Sequence, residues 1–453
     1  MLRALQHRGQ EAWGIAVPRK QPYKRLGLVS QSASEFKAIV KKYQSRAAIG
    51  HVRYSTIGKS NLENAQPLRV KDLCVAHNGT IANVEELSGM VGGCTFTPQT
   101  MTDTLIAAQR LVMHLSAKPD MAHAMNILRG EMVGSFCFTF VADDGSVHAA
   151  RDTKGFRPMV IGYHKETATY MVASESCALS AVGAQLLDDV QPGELVRMSE
   201  TGISREQFAR DSPHAHCAFE YTYFAHPSSI MEGINIYIAR RQIGQFLAKK
   251  FPITDADVVI PVPDSARPAA FGYSQQLGLP FEEGLLKNRY SKKGSMRSFI
   301  EPYQDTRVEI NREIIPVREV VSGKHVIVID DSIVRGTSSA SIVRTLRFAG
   351  ATKISLVVTY PPIRYPCYAG IDFPSQEELA AYQQGRDGES LSVIGSRVAS
   401  LIGADYLAYN DTSNLAAAIG IDEEELCFTC STGNYAKLGI TPIFKSRLEM
   451  KGE

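Results

Sequence analysis

No apolar run in this sequence approaches the roughly 18 residues that a membrane-spanning helix needs. The opening, MLRALQHRGQEAWG, also lacks the apolar core of a secretion signal. Both absences argue for a cytoplasmic protein without a membrane partner. Charge of one sign is missing too. With 49 Lys and Arg against 47 Asp and Glu, the net charge is +2, too small a field to gather nucleic acid. A local basic site for a small phosphorylated ligand stays open. Eight cysteines in 453 residues are too few for a disulfide framework. Four of them, Cys74, Cys94, Cys137 and Cys177, are scattered among mostly apolar neighbours and read as small core residues. The P-loop pattern and the dinucleotide glycine fingerprint are absent, which sets aside ordinary ATP and NAD sites. Internal repeats and low-complexity tracts are absent as well.

What is present is an ordinary globular composition, 44% hydrophobic and 21% charged, in a chain long enough for two domains. In the first half, short apolar or alternating runs at 47–51, 73–77, 135–141, 159–162 and 170–173 predict strands. Helical patterns at 102–115 and 121–132 interrupt them, so a sheet-and-helix sandwich is expected. From about residue 255 the rhythm changes. Continuous β-branched runs at 258–260, 326–329 and 354–359 alternate with helical segments at 266–277 and 339–349, the pattern of a parallel α/β sheet. The polar stretch 200–212 reads as the join, giving domains 1–210 and 211–453. Residues 288–304 are polar and turn-rich, the composition of a mobile loop.

The most informative segment is Val326-Ile-Val-Ile-Asp330-Asp331-Ser-Ile-Val-Arg335-Gly336-Thr337-Ser338-Ser339. A buried strand ends in two acids, expected to be exposed at the sheet edge where ligands of open α/β sheets bind. Such acids can accept hydrogen bonds from sugar hydroxyls or hold a divalent metal. The following turn brings hydroxyls and backbone N–H groups to a helix start, which suits a phosphate. Asp, Ser and Thr also cap helices, but capping does not need this whole constellation. The segment resembles the signature of type I phosphoribosyltransferases. That resemblance implies ribose and magnesium at Asp330 and Asp331, and the 5-phosphate at Arg335, Gly336, Thr337, Ser338 and Ser339. It also implies a pyrophosphate and metal role for Ser265, in Pro261-Val-Pro-Asp264-Ser265. The plainer reading of Ser265 is an N-cap.

Four further segments resemble the glutaminase domain of the amidophosphoribosyltransferases. They are Leu5-Gln-His-Arg8-Gly9-Gln10-Glu11, Gly50-His51-Val-Arg53-Tyr54-Ser55-Thr56, Ala76-His77-Asn78-Gly79-Thr80-Ile81 and Thr102-Asp103. The resemblance implies an N-terminal-nucleophile (αββα) sandwich ahead of the parallel sheet. Arg53 suits the glutamine carboxylate and Asp103 the α-ammonium. Asn78 and the Gly79 N–H suit an oxyanion hole. His77 reads as structural, and the single Trp13 as packing. In that family a cysteine at the mature N-terminus attacks the amide, its own amine acting as base, and it lies upstream of the LQHRGQ segment. Leu5 is only the fifth residue here, so these 453 residues are expected not to hydrolyse glutamine, with a shortened start as the favoured reason. Cys74, mid-chain and without a free amine, is a poor substitute.

The remaining cysteines are Cys217, Cys367, Cys427 and Cys430. By spacing alone they suit zinc or an iron–sulfur cluster equally. Their surroundings resemble the iron–sulfur branch of the same family, which implies a [4Fe–4S] cluster that staples the structure. Lys287, Arg289 and Arg297 are implied to close over the substrate, although Ser291–Met296 is an insertion relative to the family pattern. The implied enzyme is a pentosyltransferase. It takes ammonia from glutamine and puts it on phosphoribosyl pyrophosphate, with Mg2+, purine nucleotides as feedback inhibitors and copies of itself in a homo-oligomer. The reading from a different class is a non-catalytic phosphoribosyl pyrophosphate sensor.

Overall fold

The computed structural model describes residues 1–441 apart from 31, 55–60, 93–96, 98–100, 212, 289–313 and 374. Cys94, Arg289, Arg297 and the Ser291–Met296 insertion therefore lie outside the described residues.

The first half is built as helix, sheet, sheet, helix. A six-stranded antiparallel sheet runs in the order Gly202–Gln207, Glu194–Ser199, Val147–Arg151, Gly134–Ala142, Leu73–Ile81, Leu68–Val70. Two three-stranded sheets form the facing layer, one centred on Ala12–Ala16 and the other on Val160–His164. Strand alternation sorts the side chains. Phe136, Phe138 and Phe140 pack outward against helices Asp103–Ala117 and Met121–Glu131, through Ile106, Leu111, Met125 and Leu128. Cys137 points the other way, to Met159, Ile161 and Val196 between the layers. Helices Ala33–Lys42 and Ser176–Ser180 close the far side, where Trp13 is buried and stacked 6.1 Å from Phe36. Both long helices start where expected. The side chain of Thr102 accepts from the Leu105 N–H, and that of Asp120 from the His123 N–H.

Within the polar stretch 200–212, Gly202–Gln207 pairs residue by residue with Glu194–Ser199, so the six-stranded sheet reaches residue 207. The polarity of Gly202–Gln207 is that of an exposed edge strand, which composition does not distinguish from a linker.

The second half holds a four-stranded parallel sheet, ordered Val258–Pro261, His325–Asp330, Lys353–Val358, Tyr406–Tyr409. Both faces are covered, which is why the strands read as unbroken apolar runs. Val259, Ile327, Ile329 and Val357 face helices Ile236–Lys250 and Arg267–Leu277. Val258, Val326, Val328 and Leu356 face Thr337–Phe348 and Leu391–Ile402. The first two helices meet at glycines. A Cβ on Gly244 would stand 1.8 Å from the Ala269 carbonyl oxygen, and one on Gly272 2.0 Å from that of Arg241.

A buried ion network ties the two halves. Arg8 pairs with Glu175 and donates to both carboxylate oxygens of Glu220, at 3.1 and 2.7 Å. Arg157 donates to Glu220 at 2.6 Å and to the carbonyl of Gly370. Removing one member of such a network strands a buried charge, at a cost of about 3–5 kcal/mol. Among the described residues no helix is long and apolar enough to cross a membrane.

Asp189 gives this region a pH dependence. Burial, then the neighbouring Glu232, raise its carboxyl from 3.8 to about 6. The charged form is therefore penalised in the folded state: the cost is absent below about pH 4, grows as pH rises, and is complete above about pH 6. Asp189→Asn keeps an acceptor for the Glu232 N–H, 3.2 Å away. It should match the parent near pH 4 and exceed it at neutral pH, by at most about 3 kcal/mol. Urea unfolding at both pH values checks this, and an equal difference at both would show that ionisation is not the cause.

Candidate active site

The carboxyl edge of the parallel sheet gathers the second-half residues. Asp330 ends its strand and Asp331 follows, its N–H donating to the Asp330 carboxylate at 2.9 Å. Contrary to expectation, both are buried, at 6% and 5% exposure. The parallel ladder runs on past the strand ends, with the Thr359 and Tyr360 N–H groups donating to the Asp330 and Asp331 backbone carbonyls at 2.9 and 3.0 Å. Burial raises both carboxyls, and for Asp330 the neighbouring Asp331 raises it further. Two adjacent raised acids fit a group that supplies positive charge. Ser265 donates to Asp331 at 3.1 Å. It is not the N-cap of Arg267–Leu277, whose N-cap is Ala266 without a side-chain bond.

Past Asp331 the chain turns through Gly336, whose φ of 81° favours glycine. Thr337, Ser338 and Ser339 form the first turn of Thr337–Phe348, with their hydroxyls at the helix start. Arg335 is held on Glu378 at 2.5 Å. Lys287 ends a short strand, 4.0 Å from Asp264.

The first-half residues meet in a separate cavity, lined by Arg53, Asn78, Gly79, Asp103 and, from the second half, Gly370, Ile371 and Asp372. Arg53 and Asp103 are almost fully buried. Burial pulls the Arg53 guanidinium down, while Glu11 and Asp103 oppose it. The Ile81 N–H at 3.1 Å and the Thr104 N–H at 2.8 Å fix the Asp103 carboxylate. Gly79 leaves no room for a side chain, since a Cβ would stand 2.2 Å from the Ser135 carbonyl oxygen. The His77 ring lies 3.2 Å from the Thr104 hydroxyl and 3.4 Å from the Ser135 carbonyl, against Phe138. Burial pulls its pKa down, so it is held neutral, the arrangement of a structural histidine. Among the described residues no cysteine lines this cavity.

The four second-half cysteines come together from three segments. Cys217 and Cys427 are partners in a short parallel pair, and the Cys217 N–H donates to Phe156. The Cys430 carbonyl accepts from Arg364 and Tyr365, which lead to Cys367. Burial pushes all four thiols up, and charge on Cys367 raises the other three. Among the described residues no three metal-binding side chains are close enough to hold a single ion. Cys217, Cys427 and Cys430 are buried, and Cys367 is half-buried.

Residues 51–181 match the model of a glutamine amidotransferase domain. Over 449 residues the chain is 39% identical to the amidophosphoribosyltransferase of Mycobacterium tuberculosis, spanning 96% of this chain and 82% of that protein. The chain belongs to the amidophosphoribosyltransferase family. The Archaeoglobus fulgidus amidophosphoribosyltransferase is likewise 39% identical, across 95% of this chain and 92% of its own. The fold matches that of a B. subtilis glutamine phosphoribosylpyrophosphate amidotransferase complexed with ADP and GMP. The TM-score is 0.81 at 36% identity, covering 96% of this chain and 93% of the other. As an amidophosphoribosyltransferase it is a pentosyltransferase of purine biosynthesis, with an N-terminal-nucleophile sandwich followed by a phosphoribosyltransferase sheet. The sensor alternative finds no support in these relatives, which are named for the enzyme.

Two residues that sequence reasoning missed stand out. Asp372 reaches the first-half cavity from the segment after Cys367, and burial followed by Glu11 raises its carboxyl to about 6 while Arg335 opposes. Tyr409 lies in register with Asp330 across Val358. Its buried hydroxyl has no hydrogen-bond partner among the described residues. Neither belongs to a motif, so only the fold could reveal them.

Proposed function

We propose that residues 1–210 bind glutamine as the ammonia source, the attacking nucleophile not being among the cavity's described residues, and that residues 211–453 use ammonia to displace pyrophosphate from ribose C1, in the cytoplasm. The observation that carries this reading is the convergence of Asp330, Asp331 and Ser265 with the Gly336 turn on one sheet edge. Asp330 and Asp331 orient the ribose hydroxyls. The N–H groups and hydroxyls of Gly336, Thr337, Ser338 and Ser339, with Arg335, hold the 5-phosphate. Lys287 and Arg289 take the pyrophosphate. In the first unit Arg53 and Asp103 clamp the amino-acid end of glutamine, and Asn78 with the Gly79 N–H steadies the developing oxyanion. Gly370, Ile371 and Asp372 of the second half form part of the wall of the first-half cavity, which supports a sheltered route between the two sites.

Asp330, Asp331 and Ser265 would hold Mg2+, which when bound neutralises the leaving pyrophosphate. Cys217, Cys367, Cys427 and Cys430 would hold a [4Fe–4S] cluster as a structural staple. Purine nucleotides as inhibitors and a homo-oligomeric state complete the reading; ADP and GMP are what the B. subtilis relative was solved with.

The test is pyrophosphate release that depends on phosphoribosyl pyrophosphate, measured with each nitrogen donor. A polypeptide of these 453 residues should be active with ammonia and inactive with glutamine, because no cysteine among the described residues faces the glutamine cavity. Rapid glutamine-driven release would show that another group supplies the nucleophile. No release with ammonia would remove the transferase role from the sheet edge.

A further inference from the structure

The cations on the sheet edge are each held by a carboxylate, and one of them belongs to no recognised motif. Arg267 opens the helix Arg267–Leu277, just after the strand Val258–Pro261. Its Nη1 donates to Asp264 at 2.6 Å, and its Nε lies 2.8 Å from Glu283. Asp264 is shared, because its other oxygen is 4.0 Å from Lys287. Glu283 reaches this edge because the chain at Phe281 bridges Val259 in parallel and runs on toward Lys287. Arg267, Lys287, Asp264 and Glu283 thus form one alternating cluster beside Ser265, whose hydroxyl is on Asp331.

We propose that Arg267 is a second pyrophosphate-binding cation, which Asp264 and Glu283 hold at the sheet edge and which the diphosphate of the substrate draws away from them. This inference rests on the phosphoribosyltransferase reading of the edge. Two physical points support it. Side chains of Asp264 and Glu283 are 56% and 44% exposed and that of Arg267 is 28% exposed. Ion pairs this exposed contribute about 0–1 kcal/mol, so exchanging them for a multiply charged anion costs little. The guanidinium also offers a planar fork that matches phosphate oxygens in pairs, which a lysine cannot. Lys287 supplies a point charge beside it. The two acids keep the fork oriented.

The expected result is a split between affinity and turnover, measured on the full chain with ammonia as donor. Arg267→Gln should raise the KM for phosphoribosyl pyrophosphate about tenfold, and raise the inhibition constant of inorganic pyrophosphate by a similar factor. kcat should stay within about twofold. Arg267→Lys should recover only part of the loss. Glu283→Gln, which frees the fork, should tighten pyrophosphate inhibition. Unchanged KM and unchanged pyrophosphate inhibition in Arg267→Gln, in a parent enzyme that is active, would overturn the proposal and leave the transferase reading intact. So would a loss confined to melting temperature. A parent protein without any ammonia-dependent activity would instead sink the reading on which the proposal rests.

Discussion

Asp330→Asn and Asp331→Asn are each expected to lower ammonia-dependent turnover about a hundredfold to a thousandfold, with far smaller changes in substrate KM. The substitution keeps the shape and the hydrogen-bonding capacity of each side chain and removes only charge. Burial already raises both carboxyls in the folded protein, and Asp331 raises that of Asp330 further. Removing one charge therefore relieves the fold, and neither variant should melt below the parent. Lost activity in a protein of equal or greater stability is a signature that a merely structural pair does not give. Thr337→Ala provides the contrast. Thr337 is exposed at the first position of its helix, where its hydroxyl can hold phosphate in ground and transition states alike. Its loss should raise KM about tenfold and leave kcat nearly unchanged, as for one neutral hydrogen bond. Near-normal turnover in both Asp variants would end the assignment of this edge to phosphoribosyl transfer.

The second large effect concerns the cysteines. Protein prepared without oxygen is expected to be brown and to contain about four iron and four sulfide per chain. Cys427→Ser should lose the colour and much of the folded yield, because metal-site free energy is part of folding free energy. The site joins three segments far apart in sequence: Cys217 pairs with Cys427 along a short parallel ladder, and Cys430 is bonded through its carbonyl to the segment that leads to Cys367. Unsupported thiols buried at that junction favour their neutral form, Cys427 being pushed up to about 11. Ligation needs thiolates, so metal affinity should fall as pH is lowered. Stoichiometric zinc without sulfide would replace the cluster reading with a zinc site.

Much of this molecule was legible from local chemistry. The parallel sheet declared itself because strands buried on both faces must be apolar throughout, as Val326–Ile329 are. The outer helices of the sandwich declared their starts because Thr102 and Asp120 satisfy backbone donors within three residues. The Asp330–Ser339 and His77–Gly79 segments carried their chemistry in short spacings that a strand and a turn convert directly into geometry. Where sequence reading failed, the deciding partner was distant. The polar stretch 200–212 did not reveal its strand because an edge strand is as polar as a loop, and only pairing with Glu194–Ser199 separates the two. Asp330 and Asp331 looked exposed because nothing in the segment announces that the ladder with the next strand runs on past it through Thr359 and Tyr360. Local periodicity and motif chemistry settled the two architectures and the residue types at each site, since those depend on neighbours within one strand or turn. Tertiary packing alone decided the burial of the acid pair, the place of Asp372 on the wall of the first-half cavity and the sharing of Arg267 between Asp264 and Glu283. Each of these depends on segments brought together by the core, and a local pattern carries no record of what the core brings near.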